Sequence, residues 1–270
     1  MGLMRCMIWT GILTAAVMAP AAAGDALEVV ILSGQNNHAW PETTPQLRAI
    51  LEEGAGFRVA VLEQPERMTA DAIAGYDAIL SNWNSWGEVA VKVWPAAARE
   101  ALIGFVEGGK GFVSVHAGSS SFYDWAAYQA LVITAWDLKT TGHGKQHEFT
   151  VTPSPIDHPI TRGLGPFSTF DELWHGAPVP PEAQVLATAH SAAAFGGTGK
   201  DEPVLFTRTY GAGRSVNLLL GHHVRAMSTP AFGVLLRRSV AWSATGQAEV
   251  EAAGALSGAS KTDGANPRER

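Results

Sequence analysis

Short apolar runs alternate with helical spacing through the first half of the chain. Val29-Val30-Ile31-Leu32, closed by Gly34, predicts a buried strand over residues 28–33. Within residues 43–53, Leu47, Ile50 and Leu51 fall on one helical face, with Gly54 and Gly56 as stops. Residues 57–62 predict the next strand, 69–73 a short helix or turn, and 76–81 a third strand. Residues 95–107 predict a helix opened by Pro95 and closed by Gly108-Gly109, with Leu102, Phe105 and Val106 on one face. Residues 111–115 are a fourth strand. Strands alternating with helices imply a mostly parallel sheet covered on both faces.

The second half changes character. Residues 147–152, 184–189 and 203–210 read as strands. Gly211-Ala212-Gly213 is a turn from which 214–220 returns, so the last pair predicts a hairpin. Residues 230–244 predict a closing helix. With neither repeat nor linker, the expectation is one α/β domain over 25–246 with a C-terminal antiparallel extension. Residues 247–270 are rich in Ala, Gly, Ser and charge, which predicts disorder.

The first residues follow a different logic. Arg5 precedes an apolar run over residues 6–18, and Pro20-Ala21-Ala22-Ala23 ends it in small residues. This is the pattern of a secretory signal over 1–23 cleaved after Ala23, and it predicts a periplasmic or secreted protein with no stable membrane span. An uncleaved anchor is the other explanation of the run. Cys6, the one cysteine, lies in this segment. The remaining chain therefore has no disulfide, thiolate metal site or cysteine nucleophile. The net charge of −6, with no basic cluster, argues against a nucleic-acid partner. A homo-oligomer stays open.

In open α/β sheets, ligands bind beyond the carboxyl ends of the strands. The first predicted strand leads into Asn36, Asn37 and His38, the third into Asn82, Trp83, Asn84 and Trp86, and the fourth into His116. The hairpin strand ends in His222 and His223. Amides and imidazoles bond hydroxyls, and indoles stack on sugar faces, so a polyhydroxylated small molecule fits this rim. A second concentration holds His143, His147, Asp157, His158, Asp171, Glu172, Trp174 and His175. The adjacent carboxylates Asp171 and Glu172 could have their pKa values pushed apart into acid and base. Asp157-His158-Pro159 also reads as a simple turn. Ser119, Ser120 and Ser121 lack the G-x-S-x-G context of a nucleophile and predict a helix N-cap. Nine histidines make a divalent metal such as zinc possible, although no H-E-x-x-H pattern specifies one.

Several motifs in register resemble one family. They are Gly108-Gly-Lys-Gly-Phe-Val-Ser-Val-His-Ala117, Thr141-Gly-His-Gly144, Asp157-His-Pro-Ile-Thr-Arg-Gly163, Asp171-Glu-Leu-Trp-His175, and Tyr210-Gly-Ala-Gly-Arg214 through Leu220-Gly-His222. Together they resemble the trehalose-utilisation (ThuA-like) family over about 28–244. That resemblance implies a flavodoxin-like sheet similar to the class I glutamine amidotransferases, with an elbow after a central strand. It places His116 where the amidotransferase cysteine would stand and Val224 where its carboxylate would stand, so glutaminase chemistry is not expected. Trp174 stands where other members often carry Tyr. A sugar or keto-sugar ligand is implied, but the resemblance does not supply the reaction.

The expectation is a periplasmic carbohydrate-processing protein acting on a glycoside or keto-sugar by elimination, hydrolysis or isomerisation. His116, Asp171, Glu172 and His222 are the candidate catalytic residues. Asn36, His38, Asn82, Trp83, Asn84, His143 and Trp174 are the candidate substrate-binding residues. The alternative is a non-catalytic sugar-binding protein of the periplasm. A weaker one is an interaction module using Trp83 to Trp94 as an exposed surface.

Overall fold

The computed structural model describes residues 26–54, 56–86 and 94–248. The expected signal segment 1–23 and tail residues 249–270 lie outside them. The elements run β1 (Leu27–Leu32), α1 (Trp40–Glu52), β2 (Phe57–Leu62), α2 (Ala70–Ile73), β3 (Ala78–Ser81), α3 (Ala96–Glu107) and β4 (Gly111–Val115). There follow α4 (Ala126–Leu131), β5 (Gly142–His143), β6 (His147–Pro153), β7 (Phe167–Asp171), β8 (Trp174–His175) and β9 (Gln184–His190). The last are β10 (Asp201–Tyr210), β11 (Gly213–Leu218), α5 (Val224–Met227) and α6 (Pro230–Thr245). Among the described residues, no helix is long and apolar enough to cross a membrane.

Nine strands form one sheet in the order β2-β1-β3-β4-β11-β10-β9-β6-β7. Pairings from β2 across to β11 are parallel, and those from β11 out to β7 are antiparallel. The antiparallel extension expected from the hairpin is therefore present and longer than expected. A separate two-stranded sheet pairs β5 with β8.

Alternation along the strands builds two cores. Val29 and Ile31 face α1 and α6, packing with Leu47, Leu51, Leu235, Leu236 and Val240. Val30 and Leu32 face the other way, with Leu102, Phe105, Val106, Phe112 and Tyr128. Helices on both faces follow from strands that are apolar on both sides.

Three local expectations fail. Ser119, Ser120 and Ser121 cap no helix: a 3-10 turn occupies His116–Ser119, and α4 begins only after Trp125. Helix α1 starts at Trp40, not residue 43, because Pro41 suits the first turn and Pro45 lies only one turn further in. The surface reading of Trp83 to Trp94 fails at both ends. Trp83 and Trp94 are buried with ring centroids 5.1 Å apart, and Trp83 stacks on Phe122 at 5.2 Å.

Candidate functional site

Beyond the carboxyl ends of β1, β4, β7 and β11, four side chains converge. His38, His116, Glu172 and His222 each offer a donor atom, and these atoms lie within 4.8 Å of one another. His116 occupies the elbow after β4 with φ of 44°, a left-handed conformation that costs a non-glycine residue energy. Its Nδ1 donates to the Leu219 carbonyl at 2.7 Å, so its Nε2 faces the cluster. Gly118 makes the turn possible: a Cβ there would meet the Ser81 carbonyl at 2.5 Å.

His38 is oriented from behind by amides. Asn36 Oδ1 accepts from His38 Nδ1 at 3.0 Å and from Asn84 Nδ2 at 2.7 Å. Asn84 Nδ2 also donates to Asn37 Oδ1, and Asn36 Nδ2 donates to the Asn82 carbonyl. Asn82 in turn donates to Thr43 and Thr44. Asn36, Asn82 and Asn84 thus join the loop after β1 to the loop after β3. They do not line the cavity as expected of substrate ligands. Trp83, also expected at the substrate, belongs to the core.

Asp171 and Glu172 part company because adjacent residues of an extended chain face opposite ways. Asp171 is completely buried, and its carboxylate accepts from the backbone amides of Glu172, Gly221 and His222 at 2.8, 2.7 and 3.1 Å. It holds the turn that presents His222, and it is not the solvent-reaching acid that the sequence suggested. Burial pushes its pKa up, against the opposing His116 charge and the three amides. Glu172 turns into the cluster. Its Oε1 is 3.7 Å from His116 Nε2, and its Oε2 is 3.5 Å from His222 Nε2 and 3.2 Å from His143 Nδ1.

These contacts set the protonation states. Burial, then the neighbouring His116 and His222, holds His38 down to about 3. Burial, with His116, likewise holds His222 down to about 4. Burial would raise Glu172, but the surrounding His116, His222 and His143 hold it down to about 2. Burial opposes charge on His116, yet Glu172, Asp171 and the Leu219 carbonyl outweigh it and raise its pKa. The cluster therefore pairs a carboxylate with a proton-retaining His116 beside neutral rings.

The cluster floors a cavity of about 470 Å³, lined by Asn37, His38, Ala39, Trp86, Ser120, Trp136, His143, Glu172, Trp174 and His222. Trp136 and Trp174 meet edge to face at 4.9 Å, and Trp86 is 42% exposed beside them. The small β5–β8 sheet places His143 opposite Trp174 at the mouth. His147 stays away, stacked on Phe195. His158 packs on Trp242, and Asp157 pairs with Arg162 in the expected turn. Trp136 was missed in the sequence because it sits in a short connection without strand or motif signal. A second cavity of about 500 Å³, between α2 and α3, is lined by small and apolar residues with Glu100 and Lys110 and holds no histidine.

The family model described as trehalose utilisation matches residues 28–243. The chain belongs to the ThuA family. Membership supports a carbohydrate-related function in general terms. A ThuA-like protein from Parabacteroides merdae is similar in structure, with TM-score 0.73 and 26% identity, covering 82% of this chain and 91% of that one. A ThuA-like protein from Bacteroides uniformis reaches TM-score 0.64 at 18% identity, over 85% of this chain and 98% of that one. A cytoplasmic protein from Salmonella typhimurium reaches TM-score 0.59 at 16% identity, over 81% of this chain and 99% of that one. The last two likenesses show the fold alone. No curated protein matches the chain. In this ThuA-family chain His116 holds the elbow.

Proposed function

We infer that this ThuA-family protein processes a glycoside or keto-sugar by moving a proton within the cavity. One observation carries this inference: Trp86, Trp136 and Trp174 line the same small-molecule-sized cavity as His38, Glu172 and His222. The aromatic wall suits the apolar faces of a sugar ring, and Asn37 and Ser120 suit its hydroxyls. Trehalose-type disaccharides are the class that family membership favours. The N-terminal signal pattern supports a periplasmic location.

The chemistry follows from the acidity of a C–H bond beside a ketone. A base takes that proton, and the electron pair forms an enolate. In elimination the enolate re-forms its double bond toward the neighbouring carbon and expels the glycosidic oxygen, which takes up a proton. His143 is the solvent-reaching imidazole beside Glu172, with 43% side-chain exposure; its Nδ1 donates to the Gly144 carbonyl at 2.9 Å and lies 3.2 Å from Glu172 Oε2. His143 carries the proton to and from the sugar, and Glu172 stabilises the cationic ring. His38 and His222 complete the polar floor, with His116 buried behind them.

NMR of the protein with trehalose and with 3-keto-trehalose tests this function. Conversion of the keto sugar is expected. His143→Ala and Glu172→Gln are each expected to slow turnover by about 10²–10⁴-fold while sugar-induced shifts persist. Shifts without any conversion would replace the enzyme by a non-catalytic sugar-binding protein. Full turnover in His143→Ala would remove His143 from the proton path.

A further inference from the structure

We propose that His38, His116, Glu172 and His222 bind one divalent metal ion of zinc's chemical class, which deepens the carbohydrate-processing function inferred for the cavity and rests on it for its catalytic role. Three imidazoles and one carboxylate form a donor set that suits such an ion. Ligands about 2.0–2.2 Å from a tetrahedral zinc stand about 3.3–3.5 Å from one another. Two pairs already approach that spacing, His116 to Glu172 at 3.7 Å and His222 to Glu172 at 3.5 Å.

The backs of two of the three rings are arranged as metal ligands require, whereas His222 Nδ1 stands 3.4 Å from the Gln146 side-chain amide nitrogen. Metal-binding histidines donate their second ring N–H to a carbonyl or carboxylate, which fixes the tautomer. His116 Nδ1 donates to the Leu219 carbonyl, and His38 Nδ1 donates to Asn36 Oδ1. Each leaves its Nε2 for the cluster. His116 is 3% exposed, and its buried Nε2 makes no hydrogen bond, an unfavourable state for a nitrogen so placed. The strained backbone at His116 aims this atom at the other three donors. The four ligands also sit at the ends of four different strands of one sheet, a rigid mounting.

His38, Glu172 and His222 line the cavity, so the ion faces the sugar. There it polarises the keto oxygen and stabilises the enolate. His143 lies outside the four-residue set and keeps the proton-transfer role.

Calorimetric titration of untagged full-length protein, stripped with chelator and freed of it, tests the site with Zn²⁺ and Co²⁺ as probes. One equivalent is expected to bind. His116→Ala and Glu172→Gln are expected to weaken binding at least about 100-fold, and Asn36→Ala, acting through His38, about 10–100-fold. His190→Ala, in an exposed pair with Asp201, is expected to bind like the parent. Circular dichroism checks that each variant is folded, and the near-isosteric Glu172→Gln guards against misfolding of His116→Ala. Absence of stoichiometric binding, or binding indifferent to both His116→Ala and Glu172→Gln, would overturn the proposal. Stoichiometric binding lost in these variants, with no response to either sugar, upholds the metal site and sinks only its carbohydrate role.

Discussion

Asp171 shows how one buried carboxylate organises the site without touching a ligand. Its oxygens accept three backbone amides, two of them from the Gly221–His222 turn. Gly221 has φ of 104°, and a Cβ there would press on Phe232 and Val115, so this turn tolerates little else. Asp171→Asn presents an NH₂ group where at least one amide donor now points. A loss of about 1–3 kcal/mol is expected in urea unfolding, with displacement of His222 visible as weakened sugar shifts. Stability equal to the parent would show that the three amides are satisfied elsewhere. The sequence reading misses this division, taking both Asp171 and Glu172 as catalytic and Asn82, Trp83 and Asn84 all as substrate-binding, although strand geometry offers a signal. In Asp171-Glu172, as in Asn82-Trp83-Asn84, neighbouring residues must point to opposite sides, so one carboxylate and one class of side chain had to turn inward. What the spacing alone left open was which, because both candidate sides carry polar and aromatic groups.

Among the elements, those with strong periodicity were readable. Strands β1, β2 and β4 and helices α3 and α6 lie within a residue or two of their expected bounds. Leu236 is completely buried in α6 against the sheet. Leu236→Ala is expected to cost about 2–5 kcal/mol through lost burial and the cavity left behind. A loss below about 1 kcal/mol in urea unfolding would mean that α6 contributes little to this core. The short elements escaped. The two-residue strands β5 and β8 have no period to detect, yet they position His143 and Trp174. Strand β7 follows a glycine-rich connection and carries Ser, Thr and Asp, so its alternation is masked. Arg214 opens the returning strand of the hairpin, a position that suggests the surface. Its guanidinium instead binds the carbonyls of Trp242, Ser243 and Ala244, where the C-terminal end of α6 leaves acceptors unpaired. Such a contact across 28 residues or more leaves no local trace in sequence.

At the scale of the whole molecule, the cluster's unusual protonation makes folding sensitive to acid. His38 and His222 titrate at about 3 and about 4 when folded, against an ordinary value of 6.5. As pH falls below about 6.5 the unfolded chain takes up protons that the folded rings refuse, so stability is lost. His116, raised against its burial by Glu172 and Asp171, works against this near neutral pH, and Asp171, raised by burial, does so at lower pH. The two depressed rings nevertheless outnumber the one raised. The urea midpoint of chelated protein is therefore expected to fall between pH 7 and pH 5, and to fall less in His222→Gln. A midpoint that does not change over this interval would contradict depressed values for these rings. The cluster also straddles the seam between the parallel and antiparallel halves of the sheet, which has a consequence for synthesis. A nascent chain grows from the N-terminus. When β4 has emerged, only His38 and His116 exist; Glu172 arrives with β7, and His222 follows β11. The four-residue set, and with it the cavity, is complete only once nearly the whole domain has been translated.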